Sequence, residues 1–196
     1  MIYFLLLQTS EFICKPTYIL YYSFSSGFSA MNKRRVVFVS HCLLNQFIRP
    51  PEAGRYPLVT KELLSLFAEN EIGIIQLPCP AMETNGFVKG VLTKESLDTK
   101  NYRGYCQRLS ENMLNQIEAY LKRDYNVIGI LGVEFSPTCG VHQIENGRKN
   151  TPGKGILIEE LEKQMQKKNF QVPIIGINLN NVYSSVEKLQ SLIKFS

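Results

Sequence analysis

Val127-Ile-Gly-Ile-Leu-Gly-Val133, running straight into Glu134-Phe-Ser-Pro-Thr-Cys-Gly140, is the stretch on which the fold turns. Its first half is a continuous apolar run without alternation, the pattern of a strand covered on both faces. Its second half is a tight turn, signalled by Ser136-Pro137 and Gly140, that carries a cysteine. Two further runs repeat the arrangement: Val36 to Val39 leads into Ser40-His41-Cys42, and Ile72 to Leu77 leads into Pro78-Cys79-Pro80. Parallel strands end on the same side of a sheet, so Cys42, Cys79 and Cys139 are expected at one rim, where α/β proteins place their chemistry.

Helical patterns separate the runs. Leu58, Leu63, Leu64, Leu66 and Phe67 recur at three- and four-residue steps, with Pro57 or Thr60 available to start a helix near Lys61. Tyr102, Cys106, Leu109, Met113 and Ile117 share one stripe of a helix from Tyr102 to Lys122. Further helices are expected over Ile156 to Lys168 and Val182 to Ile193, with a fourth strand at Pro173 to Leu179. Strand and helix alternate throughout, which predicts an α/β fold: a small three-layer sandwich with a mostly parallel, Rossmann-like sheet. Pro80 to Lys100, punctuated by Asn85-Gly86 and Lys89-Gly90, reads as an irregular excursion over the rim.

A chain of 196 residues that is 44% hydrophobic can bury one good core. Residues 31–196 read as that single domain. Residues 1–30 read as an extension, carrying only Glu11 and Lys15 as charges, too interrupted for a signal peptide or a spanning helix, with Met31 the expected start. A net charge of +5 is mild and has no concentrated stripe, which argues against a nucleic-acid partner, and Lys33-Arg34-Arg35 reads as a solvated flank. Five widely spaced cysteines match neither a secreted disulfide framework nor a zinc ribbon. The expectation is a cytoplasmic protein with no membrane partner, acting on a small molecule, its oligomeric state left open by the sequence.

Three thiolates from three loops suit a [4Fe-4S] cluster with one iron left open to substrate. Cys106 lies on the apolar stripe of its helix and reads as a core residue. Two other readings use the same cysteines. Closed zinc coordination would add His41 or His142 as a fourth ligand, giving a structural or interaction module. A thiol hydrolase would use one cysteine as nucleophile and one histidine as base. Gly147 to Gly155 has the flavour of a phosphate loop but misses its spacing and lacks the Ser or Thr after Lys154, so a helix-opening turn is the better reading.

Ser40-His41-Cys42-Leu43-Leu44, Gln76-Leu77-Pro78-Cys79-Pro80 and Gly132-Val-Glu-Phe-Ser-Pro-Thr-Cys-Gly140 together resemble the thiouracil desulfurase family and its desulfidase relatives. The resemblance spans most of Arg35 to Val141, and the Ser-Pro-Thr-Cys-Gly motif is its most specific part. It implies a [4Fe-4S] cluster held by Cys42, Cys79 and Cys139, with the open iron taking sulfur from a thiolated, nucleobase-like substrate while water replaces that sulfur at carbon. It also implies a catalytic role for Ser136. Two departures stand out. The family reads Cys-Pro-Glu where this chain has Ala81, so Glu83 or Glu134 is left to supply the carboxylate. It places glycine before the serine, where this chain has Phe135, which could narrow the pocket.

Overall fold

The computed structural model describes residues 34–85, 92–146 and 149–194, so the expected extension at residues 1–30 lies outside them. Four strands form one parallel sheet: β1 (Arg35–Ser40), β2 (Ile72–Leu77), β3 (Asn126–Val133) and β6 (Ile174–Ile177), in the order β2-β1-β3-β6. The two central strands are the fully apolar ones. After its first residue every position of β1 and of β3 is buried, whereas the edge strand β2 exposes Gly73, Ile74 and Gln76. A run of Val and Ile without alternation is what a strand between two helical layers needs.

Those layers come from the four long helices. Helix α5 (Lys100–Leu121) packs on β3 and against α6 (Ile156–Lys168). On the other pairing, α2 (Pro57–Glu69) and α7 (Val182–Lys194) pack against each other and against β2 and β6 respectively. The three-layer α/β sandwich expected from the alternation is the architecture observed. Pro57 opens α2 as its first residue, where a missing N–H costs nothing. Thr99 opens α5, its side chain accepting from Tyr102 N at 3.2 Å. Cys106 is wholly buried on α5, as its place on the stripe requires.

Short helices and a hairpin surround the rim. Helix α1 (His41–Leu44) follows β1 directly. Helices α3 (Pro80–Asn85) and α4 (Lys94–Leu97) occupy part of the stretch expected to be irregular, and α4 is closed by a capping box in which Thr93 Oγ1 accepts from Ser96 N and Ser96 Oγ accepts from Thr93 N. The antiparallel hairpin of β4 (Gln143–Asn146) and β5 (Lys149–Pro152) stands beside the main sheet and joins it through a parallel bridge between Phe135 and Ile144.

One buried polar contact ties α5 to the third cysteine loop: Tyr102 Oη lies 2.8 Å from Thr138 Oγ1. Tyr102→Phe deletes that bond at a site where Thr138 is only 4% exposed. It is expected to cost about 1 kcal/mol of unfolding free energy, read as a lower urea midpoint at unchanged slope. An unchanged midpoint would remove this contact from the account of how the loop is held.

Candidate functional site

Strand register brings the cysteines together. Ser40 pairs with Leu77 at the ends of β1 and β2, so Cys42 and Cys79 each stand two residues past the same rung. β1 pairs with β3 through Val39 and Leu131, which sets Gly132 beside the end of β1. The third loop folds back over that point: Val133 N donates to Cys139 O at 2.9 Å, and Ser40 Oγ reaches across to Leu131 O at 2.7 Å. Ser40 lies near enough to the Cys139 thiol to oppose part of its upward shift.

The third loop is fixed from both sides. Within it, Ser136 Oγ accepts from Cys139 N at 3.0 Å and Thr138 N at 3.3 Å, and Ser136 O accepts from Gly140 N at 2.9 Å. From outside, the start of α6 docks onto its carbonyls, with Ile156 N on Pro137 O and Leu157 N on Thr138 O, both at 3.0 Å. Those N–H groups are the ones a helix leaves unsatisfied at its N-terminus. They are spent on the loop, and Lys154 Nζ is paired with the Glu162 carboxylate at 2.6 Å, so the segment is a helix-opening turn and not a phosphate cradle.

The thiols feel one another. Burial and then the neighbouring Cys79 push Cys42 up to about 11, with the Arg49 guanidinium pulling the other way. Burial raises Cys79, offset in part by the N–H groups of Met82 and Ala81 and reinforced by Glu83. Burial, then Cys42 and Cys79, raise Cys139 well above the usual thiol range. Such a group resists becoming three thiolates unless cations enter with it. Among the described residues no three His, Cys, Asp or Glu side chains are gathered closely enough to share one metal ion. A closed zinc centre places four ligands on one ion, whereas a [4Fe-4S] cluster takes each thiolate on a different iron. Three soft donors at one rim, within reach of one another's charge, are the donor set that such a cluster would take.

A cavity of about 500 Å³ is lined by the same loops, through Arg49, Ala81, Ser136 and Thr138, with apolar walls from Leu92 and Leu179 among others. Arg49 is held by Gly54 O and Ala53 O, at 3.1 and 2.6 Å, with its guanidinium carbon 5.4 Å from the Tyr56 ring centroid. Ser136 uses its hydroxyl oxygen as acceptor twice, which leaves its proton free to donate. Phe135, on the same wall, holds φ at +67°, a left-handed backbone that costs a side-chain-bearing residue about 1–2 kcal/mol. Its neighbours hold it there: Phe135 N donates to Gln143 O at 2.9 Å, and Glu145 N donates to Phe135 O at 3.0 Å.

The two carboxylates named from sequence lie close by, and both have partners. Glu134 lines the cavity, but its Oε1 takes His142 Nδ1 at 2.7 Å and its Oε2 takes the backbone N–H groups of His142 and Gln143 at 3.2 and 3.1 Å. Glu83 accepts from the Tyr105 hydroxyl and sits near Cys79 without lining the cavity. Burial and then Glu83 push that tyrosine up to about 12. His142 is 72% exposed on its bond to Glu134, and His41 lies between Asn45 and Gln76, at 3.3 and 3.4 Å. Arg49 and Glu145, both on the cavity wall, are the residues that sequence reasoning missed. Arg49 sits in a proline-flanked segment without a motif, and Glu145 belongs to a hairpin whose strands carry no alternation.

No family model matches the chain. The uncharacterized protein MJ0003 of Methanocaldococcus jannaschii is 32% identical over 166 residues, which is 84% of this chain and the whole of that protein. A solved structure described as the [4Fe-4S]-dependent thiouracil desulfidase TudS matches with a TM-score of 0.50 at 22% identity, over 84% of this chain and all of that one. At that identity the likeness is one of fold.

Proposed function

The chain belongs to one family with the archaeal protein MJ0003, and from that premise we propose that it is an iron-sulfur-dependent desulfidase acting on a small thiolated compound of the thiouracil kind. The observation that carries the reading is the meeting of Cys42, Cys79 and Cys139 at one rim, each on its own loop and each within the electrostatic reach of another. The fold likeness to a [4Fe-4S]-dependent thiouracil desulfidase supports it. Cys42, Cys79 and Cys139 would hold a [4Fe-4S] cluster, whose remaining iron supplies a soft Lewis acid for the substrate's sulfur.

The chain's own groups do the rest. Leu92, Leu179 and Phe135 give the cavity apolar walls that suit a planar ring and displace water from it. Ser136 turns its free hydroxyl proton toward the ligand, because both lone pairs of that oxygen already serve the loop. Arg49 offsets the charge that accumulates when Cys42 gives up its proton. Glu134 and Glu83 would have to release His142 and Tyr105 before either could move a proton. Among the described residues no helix is long and apolar enough to cross a membrane, and we place the protein in the cytoplasm, where thiols stay reduced.

The test is the full chain purified without oxygen, analysed for iron and sulfide, and incubated with 2-thiouracil. About four irons and four sulfides per chain, with one sulfide released for each uracil formed, is the expected result. A colourless protein that takes up no iron on reconstitution would overturn the cluster, and stoichiometric zinc in its place would make the chain a structural module.

A further inference from the structure

We propose that Glu145 is the catalytic carboxylate of this cavity, accepting a proton from the water that replaces the substrate's sulfur. The inference rests on the desulfidase reading above. In that reaction a bond forms between the water oxygen and the thiocarbonyl carbon, and the carbon–sulfur bond breaks with its electron pair leaving on sulfur. Both protons of the water are lost, the sulfur departs as hydrogen sulfide, and no electron is gained or lost overall. Water is a poor nucleophile at neutral pH until a base draws off its first proton, so the wall of the cavity needs one.

Glu145 meets the requirement on three counts. It lines the same cavity as Ser136 and Ala81. It is half-buried, and its carboxylate has no hydrogen bond or ion pair among the described residues, whereas Glu134 and Glu83 are both engaged. Its place is fixed through the backbone, because its N–H donates to Phe135 O at 3.0 Å, one residue from Ser136. A carboxylate kept partly out of water with no partner among the described residues gives the fold little return for its desolvation. Glu52 also reaches the cavity, but it is exposed and stands on a different segment of the wall.

Glu145→Gln, which keeps the shape of the side chain, tests the assignment in the reconstituted full chain. The expected result is wild-type iron and sulfide content, wild-type affinity for 2-thiouracil by equilibrium dialysis, and kcat lower by roughly a hundredfold or more at similar KM. Adding Ala81→Glu to that variant returns a carboxylate to the same wall and is expected to restore part of kcat, while Glu187→Gln, exposed on α7 and away from the cavity, leaves kcat unchanged. Undiminished turnover in Glu145→Gln, or loss of its cluster, overturns the assignment alone. A wild-type protein that holds its cluster yet releases no sulfide overturns the desulfidase reading and this inference with it.

Discussion

If Cys42, Cys79 and Cys139 hold a cluster as proposed, Cys42→Ser, Cys79→Ser and Cys139→Ser are each expected to lower the iron content at least roughly tenfold per folded chain, since removing a ligand costs no less than disturbing what supports one. The serine hydroxyl is a hard donor that stays protonated at neutral pH, so an iron held at that position would lose its protein ligand. Cys106→Ser is the control with the opposite expectation. Cys106 is wholly buried on α5, and burial followed by Glu160 pushes its thiol up to about 12, so it behaves as a small apolar residue. A hydroxyl in that place costs about 1–3 kcal/mol of stability if it finds no partner. The comparison therefore has to be iron per folded chain, read beside an unfolding curve. If Cys106→Ser stays folded and loses iron, a fourth cysteine holds the cluster, and the iron left open for substrate disappears from the account.

The second large effect belongs to a glycine. A Cβ placed on Gly155 would stand 2.6 Å from Cys139 N and closer still to the Thr138 carbonyl, all of it backbone that cannot swing aside. Gly155→Ala must therefore push α6 off the third cysteine loop and weaken the bonds of Ile156 and Leu157 to that loop. About 3 kcal/mol of unfolding free energy is expected to go, toward the upper end for an overpacked site, together with a lower iron content in the protein that remains folded. Gly104→Ala separates this from any general intolerance of a methyl group. That glycine lies on α5 with Arg108 Nη1, the movable end of a side chain, as its nearest neighbour at 3.7 Å, so alanine there is expected to stabilise the protein by about 0.5–1 kcal/mol. Equal midpoints for Gly155→Ala and wild type in urea would mean that the loop is not pinned as described.

What could be read from the residues followed how each part of the fold is stabilised. β1 and β3 are buried along nearly their whole length, and an unbroken apolar run is the direct signature of that environment. The fourth strand was expected over Pro173 to Leu179 and spans Ile174–Ile177, because strand ends are set by partners and not by propensity. Convergence of the cysteines was legible for the same reason: three strands of one direction have one C-terminal rim. The β4–β5 hairpin was not legible. Gln143-Ile-Glu-Asn and Lys149-Asn-Thr-Pro carry one β-branched residue each, Ile144 and Thr151, among polar residues and a proline, and what makes them strands is their mutual pairing together with the bridge from Ile144 to Phe135. Missing the hairpin meant missing Glu145. Helices α1, α3 and α4 are too short to show a period. The carboxylates Glu83 and Glu134 were named by their nearness in sequence to Cys79 and Ser136, and nearness in sequence says nothing of which partners a side chain already has.

Phe135 tells how the protein could drift. Its left-handed backbone is the conformation that glycine adopts without penalty, and a phenylalanine there carries a standing conformational cost. A glycine in its place would relax the turn and open the cavity wall together. The ring lines the cavity, so the breadth of compounds admitted, more than the melting temperature, is the trait on which a change at position 135 would be judged.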